Sequence, residues 1–175
     1  MSSHSAKLVF AGPVGAGKTT AIRTLSDSAP VSTEMPMSEG PMGDKTTTTV
    51  ALDFSSVQLD DGTPLHLYGL PGQEHFSHMR PLVMEGAVGV LVILPGDSPR
   101  IAEECEHWVR SVREINADMG LVVGITRTDI SPGFRMGEVR HAVRRSGQPI
   151  PIFTFDARSR EQTSHLIRAL LLSLV

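Results

Sequence analysis

Short apolar runs alternate along this chain with longer amphipathic stretches, and the two kinds of segment differ in period. Leu8 to Ala11 is apolar throughout and stops at a glycine-rich turn. Ala87 to Leu94, "AVGVLVIL", and Leu121 to Ile125, "LVVGI", have the length and β-branched content of strands buried on both faces. Ile150 to Phe155 is a shorter version that contains proline. Between these runs Ile101, Cys105, Trp108, Val109, Val112 and Ile115 recur at helical spacing, with Glu103, Glu104, Arg110 and Arg113 in the intervening positions. The last segment repeats that pattern from Arg158 through Leu166, Ile167, Leu170, Leu171 and Leu174. Strands alternating with helices of this length predict an α/β domain with a mostly parallel sheet.

Two sections break the rhythm. From Thr49 to Leu70 two strand candidates flank Asp60-Asp61-Gly62, a turn signal, so a hairpin is expected inside the parallel pattern. Ser28 to Asp44 is rich in Pro, Ser, Gly and Met and lacks any period. It reads as a mobile surface loop within one domain spanning residues 1–175, because the patterns on either side are too short to fold alone. No internal repeat is visible.

Composition narrows the class further. The 40% hydrophobic and 20% charged content is that of a globular protein in water. A net charge of −3 gives no global attraction to nucleic acid or to an anionic membrane. The lone Cys105 has no internal disulfide partner, which suits a reducing compartment. Met1 to Lys7 does not read as a signal peptide, no apolar run reaches membrane-spanning length, and no lipidation signal is present. The expectation is a cytoplasmic protein without direct membrane insertion, of undetermined oligomeric state.

The chemistry begins after the first strand. Gly12-Pro13-Val14-Gly15-Ala16-Gly17-Lys18-Thr19, followed by Thr20, fits G-x-x-x-x-G-K-[ST] and opens a helical segment containing Ile22 and Leu25. Glycines let backbone N–H groups curl around phosphate oxygens while the following helix directs its positive end at them. Lys18 would reach the β- and γ-phosphates, and the Thr19 hydroxyl would ligate magnesium.

From these residues onward the chain resembles the Ras-like small GTPases over nearly its whole length, and is most similar to the bacterial MglA-like branch. The resemblance implies a P-loop NTPase three-layer sandwich, with helices on both faces of a mostly parallel six-stranded sheet carrying one antiparallel strand. "TTVALDF", Thr48 to Phe54, resembles the end of switch I. It implies that Thr49 binds magnesium and the γ-phosphate, although Thr46, Thr47 and Thr48 are alternatives in register. "PGQEHF", Pro71 to Phe76, resembles switch II. It implies that the Gly72 N–H meets the γ-phosphate and that Gln73 orients the attacking water. Thr126-Arg127-Thr128-Asp129 stands where the family carries N-K-x-D, and Asp156-Ala157-Arg158 stands where it carries S-A-K. Asp129 and the Ala157 N–H would then read guanine, with GTP and GDP as ligands.

Gly69 occupies the place of the family's D-x-x-G aspartate, which holds a magnesium-bound water. Asp53 lies on the strand expected to pair with the one ending at Gly69, so it is a candidate for the lost charge, the alternative being a side chain that faces solvent. No arginine finger is encoded at motif level, and Arg80 is expected to be an exposed, salt-bridging residue of switch II. Hydrolysis is therefore expected to be slow and to be raised by a partner, which by resemblance is a Roadblock-type activating domain. Effectors would read residues 29–50 and 70–84. The rival readings are a pseudo-GTPase scaffold with little turnover and, more remotely, an ATP-dependent phosphotransferase. His75 and His78 lack a metal-ligand pattern and read as surface residues, and Trp108 reads as core.

Overall fold

The structure is a computed structural model that describes residues 5–27, 31–38 and 47–175, with side chains described for 5–27 and 52–175. A seven-stranded sheet forms its centre, in the order β2-β3-β4-β1-β5-β6-β7. Its strands are β1 (Ala6–Ala11), β2 (Val31–Ser38), β3 (Thr47–Gln58), β4 (Pro64–Gly69), β5 (Gly89–Pro95), β6 (Gly120–Thr126) and β7 (Ile152–Thr154). β1 pairs in parallel with both β4 and β5, and β5, β6 and β7 continue the parallel ladder. Only β3 runs against the others, antiparallel to β2 on one side and to β4 on the other.

Period-two alternation along the buried strands sends side chains to two separate cores. Leu8 and Phe10 of β1, with Leu91 and Ile93 of β5, face α1 (Lys18–Leu25) and α5 (Arg160–Ser173) through Ile22, Leu25, Leu166 and Leu170. Val9, Ala11, Val90, Val92 and Leu94 face the opposite layer. That layer is α2 (Arg80–Met84), α3 (Ile101–Ile115) and α4 (Met136–Arg145), contributing Val83, Cys105, Trp108, Val112 and Val143. The expected helical stripe of α3 is thus its core face, and Trp108 is a core residue, as read from the sequence.

The hairpin around Asp60-Asp61-Gly62 forms as expected. β3 and β4 pair with Gln58 opposite Pro64, and the Asp61 carboxylate accepts the Thr63 N–H at 2.9 Å. One expectation needs correction. Residues 31–38, read as part of a surface loop, form β2, which adds a seventh strand at the edge of the expected sheet. The stretch lacks a period and contains proline, yet Pro36 sits on an edge strand, where one side needs no ladder partner. The rest of that stretch, 28–30 and 39–44, lies outside the described residues.

The order places β1 between β4 and β5, where successive connections turn to opposite sides of the sheet. In such sheets the crevice at the carboxyl ends of the strands around this point receives ligands. The phosphate-loop motif follows β1, the switch II motif follows β4, and the T-R-T-D motif follows β6.

Candidate nucleotide site

At the end of β1 the chain turns through residues 12–17, where Gly12, Gly15 and Gly17 take positive φ. Gly12 has φ 142°, and a Cβ there would lie 2.0 Å from the Ile93 carbonyl oxygen of β5. Gly17, with φ 110°, leads into α1. Lys18 at the start of α1 is buried, and its ammonium donates to the carbonyls of Gly12 and Pro13, each at 2.7 Å. Burial pushes this lysine down to about 8, against the opposing attraction of the Asp53 carboxylate. The loop and helix therefore aim one buried cation at a cleft of about 290 Å³, lined by Val14, Gly15, Lys18 and Thr19 on this side.

The other wall of that cleft is built by β3, β4 and the segment after β4, including Asp53, Gly69, Gly72 and Gln73. Asp53 is directly opposite Gly69 in the β3–β4 register, and its Oδ2 accepts the Thr19 hydroxyl at 2.5 Å. The space at residue 69 is already occupied: a Cβ there would lie 3.0 Å from Ile22 Cδ1 and 3.2 Å from Asp53 Cβ. A carboxylate thus arrives beside the magnesium-type threonine from the neighbouring strand, across a glycine that leaves it room. Gly72 approaches the phosphate loop so closely that a Cβ would meet the Val14 nitrogen at 2.4 Å. Gln73 is exposed and precedes a 3₁₀ turn, Glu74–Met79, where its carbonyl accepts the Phe76 N–H at 3.1 Å.

The second cleft, about 360 Å³, lies beyond the loop and is lined by Ala16, Gly17, Thr20, Thr126, Arg127, Asp129, Ile130, Asp156, Ala157 and Arg158. Thr126 is buried and its hydroxyl donates to the Ala16 carbonyl at 2.8 Å, which ties the end of β6 to the phosphate loop. A Cβ on Gly17 would rest 3.4 Å from Thr126 Cγ2 and 3.6 Å from Ala157 Cβ, so three motifs meet at this point. Arg127 takes the left-handed conformation, φ 58°, a costly state for a residue with a side chain. That turn sends its guanidinium back over the loop, to the Gly15 carbonyl and, at 3.3 Å, to Asp97.

Asp129 is exposed in the 3₁₀ turn Thr128–Ile130. The Asp156 carboxylate accepts from the Arg158 N–H at 2.9 Å and from its guanidinium at 3.0 Å, and Arg158 holds that carboxyl below the usual range. In return Asp156 and, to a smaller extent, Asp129 hold the Arg158 guanidinium above its own. Ser159 caps α5 by accepting the Gln162 N–H, while Gln162 accepts the Asp156 N–H at 2.8 Å, so the D-A-R turn is pinned to the helix behind it.

The two clefts bring together every expected site residue except two. Gly12 lies beneath the loop, in contact with β5 rather than lining a cleft. Thr49 belongs to β3, but its side chain lies outside the described residues, as does Thr46 entirely.

Arg80 departs from its expected exposure. It is buried, with its guanidinium carbon 4.1 Å from the Trp108 ring centroid and Nη2 2.9 Å from Glu74. The ion pair was legible in the sequence as a type. Its burial was not, because the aromatic ring that covers it comes 28 positions later, on α3. Asp97, Ile130 and His107 were likewise missed, since no motif spacing links them to the site.

Residues 7–129 match the family model described as "Ras of Complex, Roc, domain of DAPkinase". An uncharacterised protein of Methanocaldococcus jannaschii is 30% identical over 130 residues, covering 74% of this chain and 75% of that protein. The "Mutual gliding-motility protein MglA" of Myxococcus xanthus is 24% identical over 153 residues, covering 82% and 77% respectively. With the phosphate loop, the switch II turn and the T-R-T-D turn assembled around one crevice, the sequence match and the geometry agree: the chain belongs to the Roc domain family of the Ras-like P-loop GTPases.

Proposed function

We propose that this chain is a molecular switch that binds GTP and GDP with magnesium and hydrolyses GTP slowly, with a partner protein raising the rate. The observation that carries this reading is the Asp53 carboxylate, 2.5 Å from the Thr19 hydroxyl at the mouth of the phosphate loop. Among the described residues no group of three His, Cys, Asp or Glu side chains could hold a metal. A hydroxyl with one carboxylate is the kind of donor set magnesium accepts when substrate phosphates and water complete its octahedron. The ion, when bound, neutralises developing charge on the β- and γ-phosphates.

Lys18 exchanges its two carbonyl partners for phosphate oxygens, and Thr19 with Asp53 holds the cation. Thr49 is the further ligand that the resemblance implies. The Gly72 N–H faces the terminal phosphate, and Gln73, exposed at the start of its turn, orients the attacking water. In the second cleft Asp129 accepts from the N1 and exocyclic amino groups of guanine, and the Ala157 N–H donates to O6. Arg127 lies over the base between Gly15 and Asp97. Adenine lacks those donors and would leave the carboxylate unpaired. The expected partners are a Roadblock-type or similar activating protein and an effector that reads residues 29–50 and 70–84, in the cytoplasm. No helix among the described residues is long and apolar enough to cross a membrane.

The test has two arms. Nucleotide-free protein should bind GDP far more tightly than ADP by titration calorimetry, and the reverse order would overturn the base assignment. Single-turnover hydrolysis should be faster in wild type than in Gln73→Leu. Equal rates under every condition, including excess candidate activator, would leave the scaffold reading standing instead.

A further inference from the structure

Arg80, the first residue of α2, has a side chain only 6% exposed, yet it forms an ion pair with a Glu74 that is 64% exposed. Its Nη2 donates to Glu74 Oε1 at 2.9 Å and its Nη1 donates to Ser111 Oγ at 3.2 Å. The guanidinium carbon lies 4.1 Å from the Trp108 ring centroid, and Nε is buried without a partner among the described residues. His107 Nε2 stands 2.8 Å from the same Glu74 oxygen. One carboxylate therefore gathers a cation from α2 and an imidazole from α3, and it belongs to the residue directly after Gln73.

Stability alone does not ask for this arrangement. A buried cation with an incompletely satisfied guanidinium costs desolvation that an apolar side chain of similar volume would avoid. The two partners are also unequal. Arg80 is fixed under Trp108 by packing, whereas Glu74 can return to water at little cost. A fixed socket with a releasable plug suits a segment that must be held in one nucleotide state and freed in another. The Glu74 carboxyl lies below its usual range because Arg80 and, less strongly, His107 donate to it, so it is charged and engaged at neutral pH.

We propose that Arg80 and Glu74 are positioning residues for hydrolysis: Arg80 of α2, seated against Trp108 and Ser111 of α3, holds Glu74, and through it the turn that presents Gln73 to the phosphate cleft. This rests on the GTPase reading above. Trp108, the only tryptophan in the chain, lies against the socket and reports on it.

The experiment compares Glu74→Ala, Glu74→Gln and Arg80→Lys with wild type in the full chain. The readouts are single-turnover GTP hydrolysis, GDP affinity, thermal midpoint and Trp108 emission. Glu74→Ala should lose about tenfold or more in hydrolysis, the scale expected when a reacting group is misplaced by about an ångström. Its GDP affinity should stay within about twofold, because Glu74 lines neither cleft. Its Trp108 emission should shift as the guanidinium loses its anchor. Glu74→Gln keeps an acceptor oxygen for the guanidinium without the charge and should recover part of the rate; the split between lost hydrolysis and retained GDP affinity in Glu74→Ala is what a packing role would not produce.

Wild-type turnover with an unchanged Glu74→Ala rate would overturn the latch alone, as would a rate loss matched by an equal loss of GDP affinity. A wild type without turnover removes the GTPase reading itself, and the positioning role with it. If Arg80→Lys does not fold, the exposed Glu74 variants carry the result.

Discussion

At the phosphate end of the crevice, Lys18 is buried and answers to two backbone carbonyls; at the base end, Asp129 and Arg158 stand exposed, Asp156 is half-buried, and the three interact chiefly with one another. The phosphate loop begins at a glycine whose backbone lies against that of Ile93 on β5, where no side chain would fit. The base end is shaped by side chains: Thr126 bonded to Ala16, Arg127 to Gly15 and Asp97, Asp156 to Arg158. A backbone-built site tolerates little variation in sequence. A side-chain-built site can exchange its parts, which is how Thr126-Arg127 can stand where the family has Asn-Lys.

The comparison is tested most severely at Lys18. Replacing it with Met should lower GTP affinity by at least about 100-fold, since charge-assisted bonds to the β- and γ-phosphates are lost. The same residue predicts a pH dependence of opposite sign to that of most lysines. Below about pH 8 folded and unfolded chains both carry the proton, and the folded state bears the full cost of burying it. Between about 8 and the ordinary 10.5 only the unfolded chain holds the proton, so this group makes the nucleotide-free protein more stable as pH rises. Cys105, pushed up to about 12 by burial, acts in the opposite direction at alkaline pH. The measurement is therefore the difference in denaturation midpoint between wild type and Lys18→Met across that range. A wild-type midpoint that does not rise relative to that of Lys18→Met as pH increases would mean the lysine is not buried as a cation.

What could be read without coordinates follows the same division. The strands, the two amphipathic helices α3 and α5 and the phosphate loop were legible because each carries a local period or a fixed spacing. Edge strand β2 was not, because its Pro, Ser and Met residues look like loop and its pairing partner is β3. Asp53 was legible only as a candidate. Whether its side chain turned toward Thr19 depended on the register with Gly69, which two short strands joined by a turn leave open by one residue. The Arg80 socket was hidden for a similar reason, its parts lying on α2, on the 3₁₀ turn and on α3.

Asp129→Ala removes the group that would distinguish the bases. GDP affinity should fall about 100-fold, the value of two hydrogen bonds to a charged acceptor, with ADP affinity nearly unchanged. Titration with both nucleotides checks this. A parallel fall for ADP would mean that Asp129 shapes the cleft without reading the base.

Asp53 allows a sharper test, because the structure suggests where its charge could be moved. Asp53→Ala should raise the magnesium concentration needed for GDP retention by about 10- to 100-fold. Gly69→Asp alone should destabilise the fold by about 1–3 kcal/mol, since its Cβ is crowded by Ile22 and Asp53. Combining the two removes the Asp53 carboxylate, 3.5 Å from that Cβ, and returns a carboxylate to the family position, although Ile22 and the Cβ at 53 still crowd it. The double variant should therefore recover most of the magnesium affinity that Asp53→Ala loses. If it recovers none, the Asp53 carboxylate serves Thr19 or Lys18 instead of a cation.

The smallest expected effect lies at the seam between the two halves. Thr126→Val keeps the shape of the side chain and removes only the hydroxyl that donates to the Ala16 carbonyl at 2.8 Å. Leaving that buried acceptor unpaired should cost about 1–3 kcal/mol of stability. Because Thr126 joins the base end to the phosphate loop, GDP and ADP affinity should fall together, by a few-fold, with their ratio unchanged. A selective loss of GDP would make Thr126 a direct reader of the base and shift the boundary between the two halves. An equal loss would mean that the hydroxyl spaces the two ends correctly while Asp129 and Ala157 do the discriminating, so the family's asparagine could be lost here without loss of the site.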